Sequence, residues 1–327
     1  MTKKSSICLF CLTALLLAGA VAVWRARETP VAATAAQPAP VIKTGIVTTS
    51  VDSHKPAESY SKAGDIRALP ADPALAEALS HTSKLAYPLR LKAVRALQGA
   101  TLTADQATYL RAFVADPNLP EGLTIQQIRA LKNDVLNALC EQPGGEAATA
   151  AVLRTLYADE TADPGLRDYA LQHLVTLTER DPSLGWSAHW AAIDGKNTEL
   201  AATALLHLSI NLRSQVSGLN PQLSATERQR IEAAALRLAT DTTAKDPART
   251  TALQVCGQLK LTEARPLAYE IARSDSAGMP LRIAAVATLG DLGGSAAVRN
   301  YLRQLTIGPV NRLRVPARSA LERFSIN

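Results

Sequence analysis

Aromatic side chains make up only 4% of this chain. A core built without them must come from alanine, leucine and valine, and Ala and Leu are strong helix formers. That scarcity also weighs against nucleic acid as a partner, because single strands are held largely by stacking bases on aromatic rings. Four cysteines are present; the one CxxC, Cys8 to Cys11, falls inside an apolar run near the start with no second pair to complete it, and with no CxxCH and no Cys/His cluster zinc and haem signatures are absent. Cys140 and Cys256 read as buried, inert thiols. The five histidines (54, 81, 173, 189, 207) include no HExxH or HxH pair. GxSxG, P-loop, GxGxxG and kinase motifs are missing as well. No convergent acid/base set and no cofactor are expected.

What the chain does have begins at its start. Lys3 and Lys4 precede an uncharged run from Ile7 to Val23, followed by Trp24, Arg25 and Arg27. Seventeen residues of helix cover about 25 Å, slightly less than a ~30 Å hydrocarbon core. Small-x-small triplets at 18–20 and 20–22 fit a signal-peptidase rule, while the arginines beyond disfavour cleavage. Residues 1–27 are therefore expected to be a bacterial-type export signal or one retained inner-membrane anchor. Residues 28–60, rich in Ala, Pro and Thr, read as a linker. The rest, 61–327, would lie outside the cytoplasm, in the periplasm.

That remainder is repetitive. Leu281-Arg282-Ile-Ala-Ala285-Val-Ala-Thr-Leu289 has the form L-[RK]-x-x-A-x-x-x-L, and it recurs at Leu89-Arg90, Leu131-Lys132, Leu166-Arg167 and Leu313-Arg314. Degenerate copies centre on Glu199 and Arg249. A quasi-period in the thirties marks a helical solenoid. The two leucines and the small residue between them are four apart, so they share one helix face. Gly257 and Gly290 occupy one register just beyond the last apolar position and suggest close approach or termination. Pro88, Pro247 and Pro280 immediately precede their copies, as suits a first helical turn. Asp163 and Asp246 precede prolines as N-caps. A second helix lies between successive motifs, opened at Thr103–Gln106 and Ser224–Glu227 by capping boxes. Residues 214–224 read as a protruding loop.

These units, P-L-R-x-x-A-x-x-x-L-G-x-L-G followed by A-V-x-x-Y-L-x-x-L, resemble HEAT-like repeats of the phycobilisome-lyase type. The resemblance is strongest at 246–325 and weakest at 181–245. It implies an all-α solenoid of about seven helix pairs and leaves the activity open. In such an array Arg282 belongs to a ladder of basic residues near the N-termini of the motif helices. The ladder is expected to bridge neighbouring repeats through Asp or backbone carbonyls.

Two places stand out as candidate sites. Trp186, His189 and Trp190 could form an aromatic wall for a ligand or partner, or simply pack where other repeats use leucine. His173 and His207 fall in motif helices of adjacent repeats and could approach each other. At the other end, residues 282–327 hold seven arginines against Asp291 and Glu322, whereas residues 61–281 hold 22 basic and 24 acidic residues. Arg299/Arg303 and Arg314/Arg318 are i,i+4 like-charge pairs, which repel unless something acidic neutralises them. This end either binds an anionic surface or an acidic partner, or is a polar cap on the last repeat. The reading is a non-catalytic protein-interaction scaffold of the cell envelope. The alternative is a lyase-like or glycosylase-like repeat protein with a pocket at Trp186, His189 and Trp190.

Overall fold

The computed structural model describes residues 73–118, 120–214 and 223–324. The export segment at 1–27, the linker at 28–60, Cys8, Cys11, His54 and most of the expected 214–224 loop lie outside the described residues.

Fourteen α-helices and no β-strand element occur among the described residues. They form seven pairs: α1 (Pro73–Leu79) with α2 (Tyr87–Arg95), α3 (Ala104–Ala115) with α4 (Ile125–Cys140), and α5 (Glu146–Ala158) with α6 (Pro164–Arg180). Next come α7 (Ser187–Asp194) with α8 (Thr198–Ser214), and α9 (Ala225–Thr240) with α10 (Asp246–Gln258). The last pairs are α11 (Arg265–Arg273) with α12 (Met279–Leu292), and α13 (Ala296–Ile307) with α14 (Asn311–Arg323). Every copy of the repeated motif lies in the second helix of a pair.

Those even-numbered helices stack directly on one another, α2 on α4 through to α12 on α14, and form a continuous layer. The motif explains why. Leu131, Val135 and Leu139 in α4 are fully buried, as are Leu281, Ala285 and Leu289 in α12 and Leu313 and Ala317 in α14. The array is therefore an α-solenoid whose core runs along the stack. Among the described residues, no helix is long and apolar enough to cross a membrane.

The glycine register is a close-approach site. A Cβ on Gly290 would come within 2.5 Å of Ala320 Cα, so α12 and α14 meet backbone to backbone there. On Gly257 it would meet Thr288 Cα of the next stacked helix at 3.3 Å. Helix starts follow local chemistry. Both capping boxes at Thr103–Gln106 and Ser224–Glu227 are formed, and a third stands at Thr124–Gln127. Asp163 caps α6 by accepting from the N–H groups of Gly165 and Leu166. Asp246 departs from expectation: Lys245 is the N-cap and Asp246 is the first helical residue, with its carboxylate turned toward Arg249. Cys140 and Cys256 are buried free thiols, each pushed up to about 12 by burial.

Candidate functional site

The last four carbonyls of any helix lack intrahelical partners and carry the negative end of its dipole, so they attract cations. The ladder serves those carbonyls. Arg90 donates to Leu85 O, Ser80 O and Ser83 O, in the turn after α1. Lys132 Nζ donates to Val114 O and Asp116 O at the end of α3. Arg167 Nε reaches Tyr157 O in α5 at 2.9 Å, and Arg249 reaches Ala239 O in α9. Arg282 reaches Ala272 O in α11 and adds a bond to Asp275, and Arg314 Nε donates to Gly308 O just after α13 at 2.8 Å. In four of these the acceptor lies ten residues upstream.

The expectation of a ladder between repeats is corrected here: it works inside each pair, tying the end of the first helix to the start of the second. Bridges between pairs come from other residues. Arg95 pairs with Asp134, Arg129 with Asp163, Lys245 with Glu199, and Arg323 with Asp291.

Pair four is the exception, because Glu199 stands in the basic register. The α7 terminus is served from the following pair instead: Arg237 Nη2 of α9 donates to Ile193 O at 2.8 Å, and Arg230 pairs with Asp194. A cavity of about 290 Å3 opens at this break, between the end of α7, the start of α8 and the last turns of α9. Ile193, Leu205 and Leu238 line its apolar side, with Lys196, Arg237 and Asp241 at its polar side. The Asp241 carboxylate already accepts from the N–H and hydroxyl of Thr243, and these bonds hold its pKa below the usual carboxylate range.

The aromatic candidates lie on another side of α7. Trp186 and His189 are buried in the core, with ring centroids 5.1 Å apart and edge-on. His189 also meets His207, whose centroid is 5.6 Å away. Trp190 is half-buried, beneath the guanidinium of Arg230 at 4.5 Å. None of the three lines the cavity. The expected approach of His173 to His207 does not occur: His173 Nε2 pairs with Asn133 Oδ1 at 3.0 Å, and His207 turns to His189 instead. Burial holds His173 and His207 down to about 4. His189 falls to about 3, from burial first and from neighbouring His207 second. His189 Nε2, His207 Nδ1 and Trp186 Nε1 are buried without hydrogen-bond partners.

The C-terminal arginines divide. Arg314 is a ladder member. Arg299 is half-buried, while Arg303 and Arg318 are exposed, as is Arg312. Ile307 and Val315 lie among them, 81% and 72% exposed. Comparing α14 with α12 shows what this face is. Ile283, Val286 and Gly290 of α12 correspond in the motif to Val315, Arg318 and Glu322 of α14. Gly290 of the first set meets α14 of the following pair, whereas the second set lies on the last described pair.

No family model matches the chain, and no curated protein matches it. Among solved structures, human deoxyhypusine hydroxylase is similar at 17% identity over 76% of this chain and 93% of that one, with a TM-score of 0.35. A designed armadillo repeat protein is similar at 15% identity over 72% of this chain and all of that one, with a TM-score of 0.40. Likeness at this depth carries nothing about chemistry.

Proposed function

We propose that this helical-repeat chain, built from HEAT-like units, is a non-catalytic protein-interaction scaffold of the bacterial cell envelope. Its N-terminal segment would export or anchor it, and its basic C-terminal end would dock an acidic partner or anionic surface. One observation carries this reading: the open face of the last pair combines exposed Arg303, Arg312 and Arg318 with exposed Ile307 and Val315. A purely solubilising cap accounts for Arg318 and Glu322 in positions that are apolar or glycine in α12. It does not account for two large aliphatic side chains left in water beside them. Exposed apolar side chains among predominantly basic ones are the composition of a docking surface.

A photo-cross-linking residue at position 315 in intact cells tests this. The expected result is a discrete protein adduct that weakens when Arg303, Arg312 and Arg318 become Gln and when salt is raised, because exposed charge is screened over about 8–10 Å. An adduct indifferent to both changes, or none at all, would leave only the cap.

A further inference from the structure

The break in the ladder leaves a cavity whose chemistry is one-sided. Its floor is apolar: Ile193, Ala201, Leu205 and Leu238. Its mouth holds two cations. Lys196 has no partner among the described residues, and Arg237 spends only Nη2, on Ile193 O. The single carboxylate in the lining, Asp241, accepts from Thr243 through Oδ1 and offsets one of the two positive charges. Glu199, which could have neutralised the mouth, is drawn away to Lys245 at 2.9 Å. So two positive donors and one ionised carboxylate stand around an apolar hole, which leaves the rim net positive. At about 290 Å3 the cavity is at the small end of ligand pockets, which run from roughly 300 Å3 upward.

We propose that this cavity is a binding site for a small amphiphile with one anionic head and an apolar body, of the medium-chain carboxylate class. The body enters between α7, α8 and α9 and covers Leu205 and Leu238. The head stays at the mouth and accepts from Lys196 Nζ and the remaining N–H groups of Arg237. The site exists because pair four takes its cap from the next pair. In the other pairs the corresponding cation is committed to carbonyls of its own pair.

Octanoate is the probe, titrated into the full chain by calorimetry and ligand-observed NMR. Saturable binding is expected, with octan-1-ol and octylammonium at least about tenfold weaker, since a charge-assisted hydrogen bond is worth that much. Lys196→Gln and Arg237→Gln should each weaken octanoate about tenfold or more. Arg237→Gln also removes the α7 cap, so Lys196→Gln is the variant that keeps the test clean if the first is poorly folded. Ala201→Phe, which fills the floor, should abolish binding with helicity retained. Equal affinity for octanoate and octanol would overturn the proposal, as would an unchanged affinity in Lys196→Gln. Binding to anionic phospholipid vesicles without binding to monomeric octanoate would overturn it too, by assigning these cations to a lipid surface.

Discussion

Acidification should unfold this protein well before its carboxylates protonate. His173 and His189 are buried and neutral, held at about 4 and about 3, against roughly 6.5 in an unfolded chain. The folded pKa values are depressed, so the stabilising condition is the neutral form. It is fully present above pH ~6.5 and is lost as pH falls toward the folded values, because the unfolded chain takes up the protons first. At pH 5 the unfolded state gains about 2 kcal/mol per histidine, hence about 4 kcal/mol for these two. His207, held at about 4, adds in the same direction. Glu179, an exposed residue whose carboxyl is partly desolvated, opposes the trend, since desolvation raises its pKa and the folded state then binds its proton more readily. Asp116, Asp163 and Asp241 have lowered pKa values and act only below pH ~4. Urea melts followed by circular dichroism between pH 7.5 and 5 isolate the histidines. The midpoint should fall steadily through that window, and His189→Leu should flatten the fall. A midpoint constant from pH 7.5 to 5, or a slope unmoved by that substitution, would refute the assignment of these rings as buried and neutral.

Gly290→Ala should cost about 1–3 kcal/mol, because its Cβ would press on the backbone of Ala320; thermal unfolding checks it. Arg90→Met should cost about 2–4 kcal/mol by removing three hydrogen bonds to carbonyls in the turn after α1, of which Ser80 O alone keeps another donor, read as faster amide exchange confined to the first pair. Cys140 and Cys256 should resist a thiol reagent at pH 8 in the folded chain and react at once in denaturant, given their burial and pKa of about 12.

The solenoid was legible because the stacking helices carry one face each, and that face repeats in the sequence. Leu281, Ala285 and Leu289 announce it, and Gly290 marks the backbone contact. The ladder's membership was legible too, but its partners were not. The acceptor lies 10 residues away for Arg167, 18 for one bond of Lys132 and 6 for Arg314. A ten-residue spacing recurs in four of the six, but the acceptor is a backbone carbonyl, which no residue type betrays in the sequence. Asp246 misled because an Asp before a proline reads as a cap, whereas the helix begins one residue earlier. The cavity at pair four was hidden for a related reason: it is made by a missing cation. Its trace, Glu199 in the basic register, was visible as degeneracy. The rings at Trp186 and His189 drew notice by composition, and burial places them in the core.

The borrowed cap on α7 has a consequence for how the chain is made. Pairs one, two and three each contain the cation that closes their own turn, so each can be closed as soon as its second helix has left the ribosome. Pair four cannot. Ile193 must wait for Arg237, 44 residues downstream, which at about 5–20 residues per second is a delay of roughly two to nine seconds. During that interval the finished first three pairs end in a helix with bare carbonyls and an open apolar notch. Capping of the α7 terminus is thus tied to the synthesis of pair five.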